Sequence, residues 1–201
     1  MEPWNKGRAV GPKRPLTPEQ VRLIRATLEA GEEWRDLALF SMAIDTMLRA
    51  VDLLKIRVDD VIDDDGRVVD ELPVRQQKTA TAHLVSLTDK TRRAVEQWLT
   101  EAGKQPGDIL FTAMGRRANR PLTRRHYSAL VKRWAKIARV KDVSRFATHS
   151  LRRTKAAYIY EMTRNPEVVR QLLGHKSLSA TSAYLDIDKA RAIAVARRFE
   201  L

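Results

Sequence analysis

Residues 149–185 read HSLRRTKAAYIYEMTRNPEVVRQLLGHKSLSATSAYL, and three helices with two short breaks account for them. A first helix runs through His149 to Glu161. Asn165 then serves as a cap and Pro166 as a first helical residue, so a second helix carries Val168, Val169, Leu172 and Leu173 until Gly174 stops it. A third, shorter helix holds Ser179 to Leu185. His149 and Arg152 stand three residues apart, which on a helix brings their Cβ atoms within about 5–6 Å on one face and lets them bind a single anion. Arg153 fits that face as well, and spacing does not choose between the two arginines. His175 follows Gly174 directly, and Tyr184 comes nine residues later in Thr181-Ser182-Ala183-Tyr184-Leu185. A packed ring with a hydrogen-bonded hydroxyl is the ordinary reading of such a tyrosine.

Working towards the N-terminus, helical spacing recurs at Tyr127, Leu130, Val131, Trp134, Ile137 and Ala138. It recurs again at Thr91, Ala94, Val95, Trp98 and Leu99, with Gly103 as the stop. Leu72 to Arg75 and His83 to Leu87 have β character and are joined by residues 76–81, which include Lys78. From Ile56 the residues Val58, Val61 and Ile62 also read as β-like, leading into the turn Asp63-Asp64-Asp65-Gly66 and then Val68-Val69. The acidic stretch Asp59 to Asp65 is expected to face away from a polyanion, with a metal-binding loop as the sharper alternative. A helix spans Glu33 to Leu48 and runs into Arg49-Ala50-Val51-Asp52-Leu53-Leu54. Another begins at Thr17-Pro18-Glu19-Gln20, a capping Thr with Gln three residues on, and carries Val21, Ile24 and Leu28 on one face. The chain therefore reads as mainly α with a small antiparallel β-sheet, an α+β fold.

The 201 residues suffice for one good-sized domain and a real core. Lysine and arginine number 38 against 25 acidic residues, a net charge of +13 that favours a polyanionic partner. The basic residues spread along the chain rather than along one amphipathic helix, which favours nucleic acid over a membrane surface. No cysteine is present, which excludes disulfides, thiolate metal sites and cysteine nucleophiles. No apolar run reaches the roughly 18 residues of a membrane span, and a non-exported, cytoplasmic protein is expected. His83 and His126 belong to no motif, and four scattered histidines do not suggest zinc. Residues 1–15 hold three prolines and two glycines among Lys6, Arg8, Lys13 and Arg14, and read as a basic extended arm that could lie along DNA.

Taken together, Arg49, Lys78 in a hairpin turn, His149-x-x-Arg152, Leu-Gly-His175 and Tyr184 occur in an order that resembles the tyrosine recombinase, or phage integrase, family. The resemblance runs from about Leu16 to Arg198. It implies that Arg49 and Arg152 clamp a scissile phosphate, that Lys78 protonates the leaving 5′ oxygen, and that His149 assists proton transfer. It further implies that His175 donates a hydrogen bond to the phosphate, that Tyr184 attacks phosphorus, and that Asp52 orients Arg49. Planar guanidinium forks match two phosphate oxygens at once, and fixed cations around them stabilise the charge that attack develops. Each residue also has an ordinary structural reading. Arg49 could pair with Asp52 at a helix end, Lys78 could be a solvated turn residue, and His175 a cation at a helix C-terminus.

The expected activity is site-specific DNA cleavage and rejoining through a 3′-phosphotyrosyl ester, with no metal, ATP or other cofactor. The alternatives are a type IB topoisomerase-like relaxing enzyme and a non-catalytic DNA-binding regulator on the same fold. Double-stranded DNA is the expected partner, bound by a homotetramer on two sites, with neither membrane nor small-molecule substrate, in association with the nucleoid. Residues 16–186 would form the catalytic domain, and 187–201 a C-terminal helix or tail that could be exchanged between protomers. Only 16 residues precede the first expected helix, so the resemblance implies a minimal form without the family's separate N-terminal core-binding domain.

Overall fold

A computed structural model describes residues 14–77, 82–114 and 120–185. Its first helix, α1 (Pro18–Ala30), starts where the sequence places it. The Thr17 hydroxyl accepts from the Gln20 backbone at 3.3 Å, and the Gln20 side chain accepts from the Thr17 backbone at 3.0 Å. Helix α2 (Trp34–Thr46) is buried at every residue from Arg35 onward, as its apolar run from Leu37 to Ile44 requires. Helix α5 (Asp89–Glu101) makes the broadest contact with α2, and α1 covers another side of it. Helix α6 (Arg124–Ile137) brings Trp134 edge-on against Phe40, with ring centroids 5.3 Å apart, and against Tyr127 at 6.1 Å.

The stretch after Ile56 departs from its β-like reading. It forms one helical turn, α4 (Val58–Val61), after the earlier turn α3 (Ala50–Leu53), and isolated bridges flank α4, pairing Arg57 with Ile109 and Ile62 with Val68. Val58 and Val61 are three apart and both buried, a spacing that suits a helical turn as well as a strand. Asp60 decides for the turn, because its Oδ2 accepts from the Arg57 backbone at 2.7 Å. The acidic turn that follows closes on itself, with Asp63 Oδ1 accepting from the backbones of Asp65 and Arg67 at 3.0 and 2.8 Å. Strands β1 (Glu71–Arg75) and β2 (Ala82–Ser86) pair antiparallel from Glu71 opposite Ser86 to Arg75 opposite Ala82. Leu72 and Val85, directly opposed, turn inward to the main core.

Three C-terminal helices complete the described chain: α7 (Thr148–Thr163), α8 (Pro166–Leu173) and α9 (Leu178–Leu185). Asn165 caps α8 by accepting from the Glu167 backbone at 2.9 Å, and Gly174 ends it at φ 62°, ψ 36°. These helices enclose a second, smaller core of Met47, Ala156, Val169, Leu173 and Leu185, with Leu172 and Tyr184 packed at its edge. The start of the described chain is pinned to α7, since the Leu16 backbone donates to Thr154 Oγ1 at 3.1 Å. The fold is mainly helical with one small antiparallel sheet. No helix among the described residues is long and apolar enough to cross a membrane. The C-terminal helix or tail expected over 187–201 lies outside the described residues, as do Lys6, Arg8, Lys13 and Lys78. Arg14 is described and exposed.

Candidate active site

Arg49, Arg152, His175 and Tyr184, from four separate parts of the chain, meet around the C-terminal end of α8. Arg49 caps α3 in an extended conformation, with its Nη1 donating to Gln76 Oε1. Arg152 lies within α7 and is 3% exposed. Its Nη1 donates to the carbonyl of Met47 and its Nη2 to that of Leu173 at 3.0 Å. Burial lowers its pKa to about 10, with Arg49 pushing the same way and Tyr184 and Asp52 opposing. Two guanidiniums that disfavour each other in a desolvated place form a site that an anion would relieve.

His175 follows the Gly174 cap, and its Nδ1 stands 3.1 Å from Thr181 Oγ1. Its ring meets that of Tyr184 edge-to-face, with centroids 5.4 Å apart and planes at 85°. Burial, then Arg152 and Arg49, bring the imidazole pKa down to about 4, so His175 is neutral at physiological pH. Tyr184 projects from α9 with its hydroxyl buried beside the Arg152 guanidinium, which favours its anion by charge and by hydrogen bonding. Burial pushes its phenol up to about 12, against the pull of Arg152, Arg153 and Arg49.

Arg152 and Arg153, which spacing could not separate, take different places. Arg152 enters the cluster from below, while the Arg153 guanidinium lies 5.5 Å from the centroid of the Tyr184 ring. His149 sits in the first turn of α7, exposed, one turn before Arg152. Asp52 Oδ1 accepts from the Gln77 backbone at 2.9 Å. No ion pair joins Asp52 to Arg49 among the described residues; Gln76 holds that guanidinium instead. Gln76 and Thr181 carry no motif and went unread in the sequence, as did the structural part of His83. That imidazole's Nε2 lies 2.7 Å from the carbonyl of Leu172 and fastens β2 to the end of α8.

The phage integrase family pattern matches residues 14–191, and the chain belongs to that family. It is 29% identical over 189 residues to the tyrosine recombinase XerC of Neisseria gonorrhoeae, covering 88% of this chain and 59% of XerC. It is likewise 29% identical over 153 residues to a tyrosine recombinase of Pseudothermotoga lettingae, covering 76% of this chain and 50% of the relative. The chain thus spans about half to three fifths of these relatives. Among solved structures, XerA recombinase superposes with a TM-score of 0.73 at 18% identity, over 94% of this chain and 67% of XerA. XerH site-specific recombinase, in a post-cleavage complex with palindromic difH substrate, gives 0.72 at 20% identity, over 96% of this chain and 55% of XerH. The fold is that of these recombinases.

Proposed function

We propose that this chain cuts and rejoins duplex DNA at specific sites, with Tyr184 as nucleophile. The observation that carries the reading is the buried Tyr184 hydroxyl beside Arg152, Arg49 and the neutral His175. A backbone phosphate entering there would lie between the two guanidiniums, which hold its non-bridging oxygens as charge builds on them. The Tyr184 oxygen bonds to phosphorus as the bond from phosphorus to the 5′ oxygen breaks. The phenol proton leaves with help from His149, and the 5′ oxygen takes a proton from Lys78. The 3′-phosphotyrosyl ester keeps the energy of the broken bond, so rejoining by a 5′ hydroxyl requires no ATP. His175, uncharged, contributes a hydrogen bond rather than a cation.

One nucleophilic tyrosine per chain cuts one strand, and exchange between two duplexes requires four cuts. Four copies on two sites are therefore the assembly this activity calls for, with 187–201 as the segment passed to a neighbour and 1–15 as an arm along the DNA. Such a partner places the protein at the nucleoid of its host cell.

The test is covalent capture on a library of nicked duplexes with randomised cores, which requires no known target. The wild-type protein is expected to leave a protein–DNA adduct on a denaturing gel. Tyr184→Phe should leave none while shifting the same duplexes on a native gel. An undiminished adduct from Tyr184→Phe would refute the assignment.

A further inference from the structure

Gln76 is 1% exposed, directly follows β1 and lies two residues before Lys78. Both ends of its amide are engaged. Its Oε1 accepts from Arg49 Nη1, and its Nε2 donates to the carbonyl of Leu173 at 3.2 Å. That same carbonyl accepts from Arg152 Nη2 at 3.0 Å. The two guanidiniums of the cluster are therefore joined through a neutral chain of Arg49, Gln76, the Leu173 carbonyl and Arg152. The backbone makes room for it: a Cβ at Gly174 would lie 2.9 Å from Gln76 Nε2.

We infer that Gln76 is a positioning residue that sets the Arg49 guanidinium against Arg152 for phosphate binding and does so without taking away its charge. The inference rests on the reading of this cluster as the DNA-cleaving site. A carboxamide suits the post because it accepts from an arginine and donates to a carbonyl at once. A carboxylate would accept from Arg49 but face the Leu173 carbonyl with no proton to give. It would also cancel charge that the phosphate needs. An apolar side chain of the same length would leave both the guanidinium and the carbonyl without this partner.

Covalent capture of nicked duplexes should therefore be timed for wild type, Gln76→Met, Gln76→Glu, Arg49→Lys, and Arg49→Lys combined with Gln76→Met. Gln76→Met is expected to slow capture by about 10- to 100-fold, the range for a hydrogen bond to a charged group. Gln76→Glu should slow it at least as much, while duplex binding on native gels stays near wild type and both variants remain folded. On the Arg49→Lys background, Gln76→Met should cost less than about threefold, because the group it positions is already gone. A packing role would give the same loss on both backgrounds and would overturn the inference. So would a Gln76→Met rate within about threefold of wild type, or loss of the folded state in both Gln76 variants. A wild-type protein that forms no adduct overturns the DNA-cleaving reading itself, and the inference with it.

Discussion

Burial and charge act in opposite directions on Tyr184. Burial holds the phenol up at about 12, and three guanidiniums counter it, one of which touches only the ring. Replacing Arg153 by Met removes that contact without removing a phosphate clamp. Covalent capture should slow roughly 2- to 30-fold, the span of a cation–π contact, with duplex binding within about twofold of wild type. An unchanged rate would reduce the contact to packing. His175 supplies a second expectation. With its pKa near 4 it carries no charge from about pH 5.5 to 8, so the ratio of wild-type to His175→Gln cleavage rates should be flat over that interval. A ratio that inflects near pH 6–7 would contradict a neutral imidazole. At this scale the sequence exposed Arg49, Arg152, His175 and Tyr184 because each stands inside a recognisable local pattern. Gln76 escaped because its partner carbonyl is 97 residues away, and no local spacing encodes that contact. The choice between Arg152 and Arg153 likewise depended on which faces α8, a fact of tertiary packing.

Helix α2 meets α5 and α7 through one carboxylate. Asp45, 5% exposed, accepts from the backbone and hydroxyl of Thr88 at 2.9 and 2.7 Å, from Thr91 Oγ1 at 2.6 Å, and pairs with Lys155 at 3.1 Å. Burial raises the carboxyl, but Lys155, Thr91 and Thr88 outweigh it and hold the group below its ordinary value of 3.8. A carboxyl lowered on folding stabilises the protein above its unfolded pKa, and that contribution fades as pH falls through the folded value. Asp45→Asn should cost about 3–5 kcal/mol at pH 7, the range for breaking one partner of a buried pair, read from denaturant midpoints. The gap between wild type and variant should narrow as the pH is taken down below the ordinary carboxyl value of 3.8. The helices were legible because capping residues and apolar spacing agree at their ends, as at Thr17 and Asn165. Residues 58–62 misled because three closely spaced apolar residues satisfy either period, and the side chain that decides, Asp60, is polar and exposed.

On the proposed function, a net charge of +13 should make duplex binding by the whole molecule strongly salt-dependent. Residues 1–15 hold four of the basic side chains, Lys6, Arg8, Lys13 and Arg14. Deleting them should weaken binding severalfold at low salt and flatten the plot of log affinity against log salt by up to about 3.6, four phosphate contacts at about 0.9 each. An unaltered slope would remove the arm from the DNA interface. The small core of Met47, Ala156, Val169, Leu173 and Leu185 has a further bearing on the intact protein. Tyr184 rides on its edge, apart from the large core built around α2. A cluster of five buried side chains opens at lower cost than one several times larger. On gentle heating, strand cutting should fail while far-ultraviolet ellipticity still reports an intact body, and backbone amides of α9 should take up deuterium before those of α2. On the proposed function, the attacking phenol would be mounted on the part of the molecule expected to loosen first.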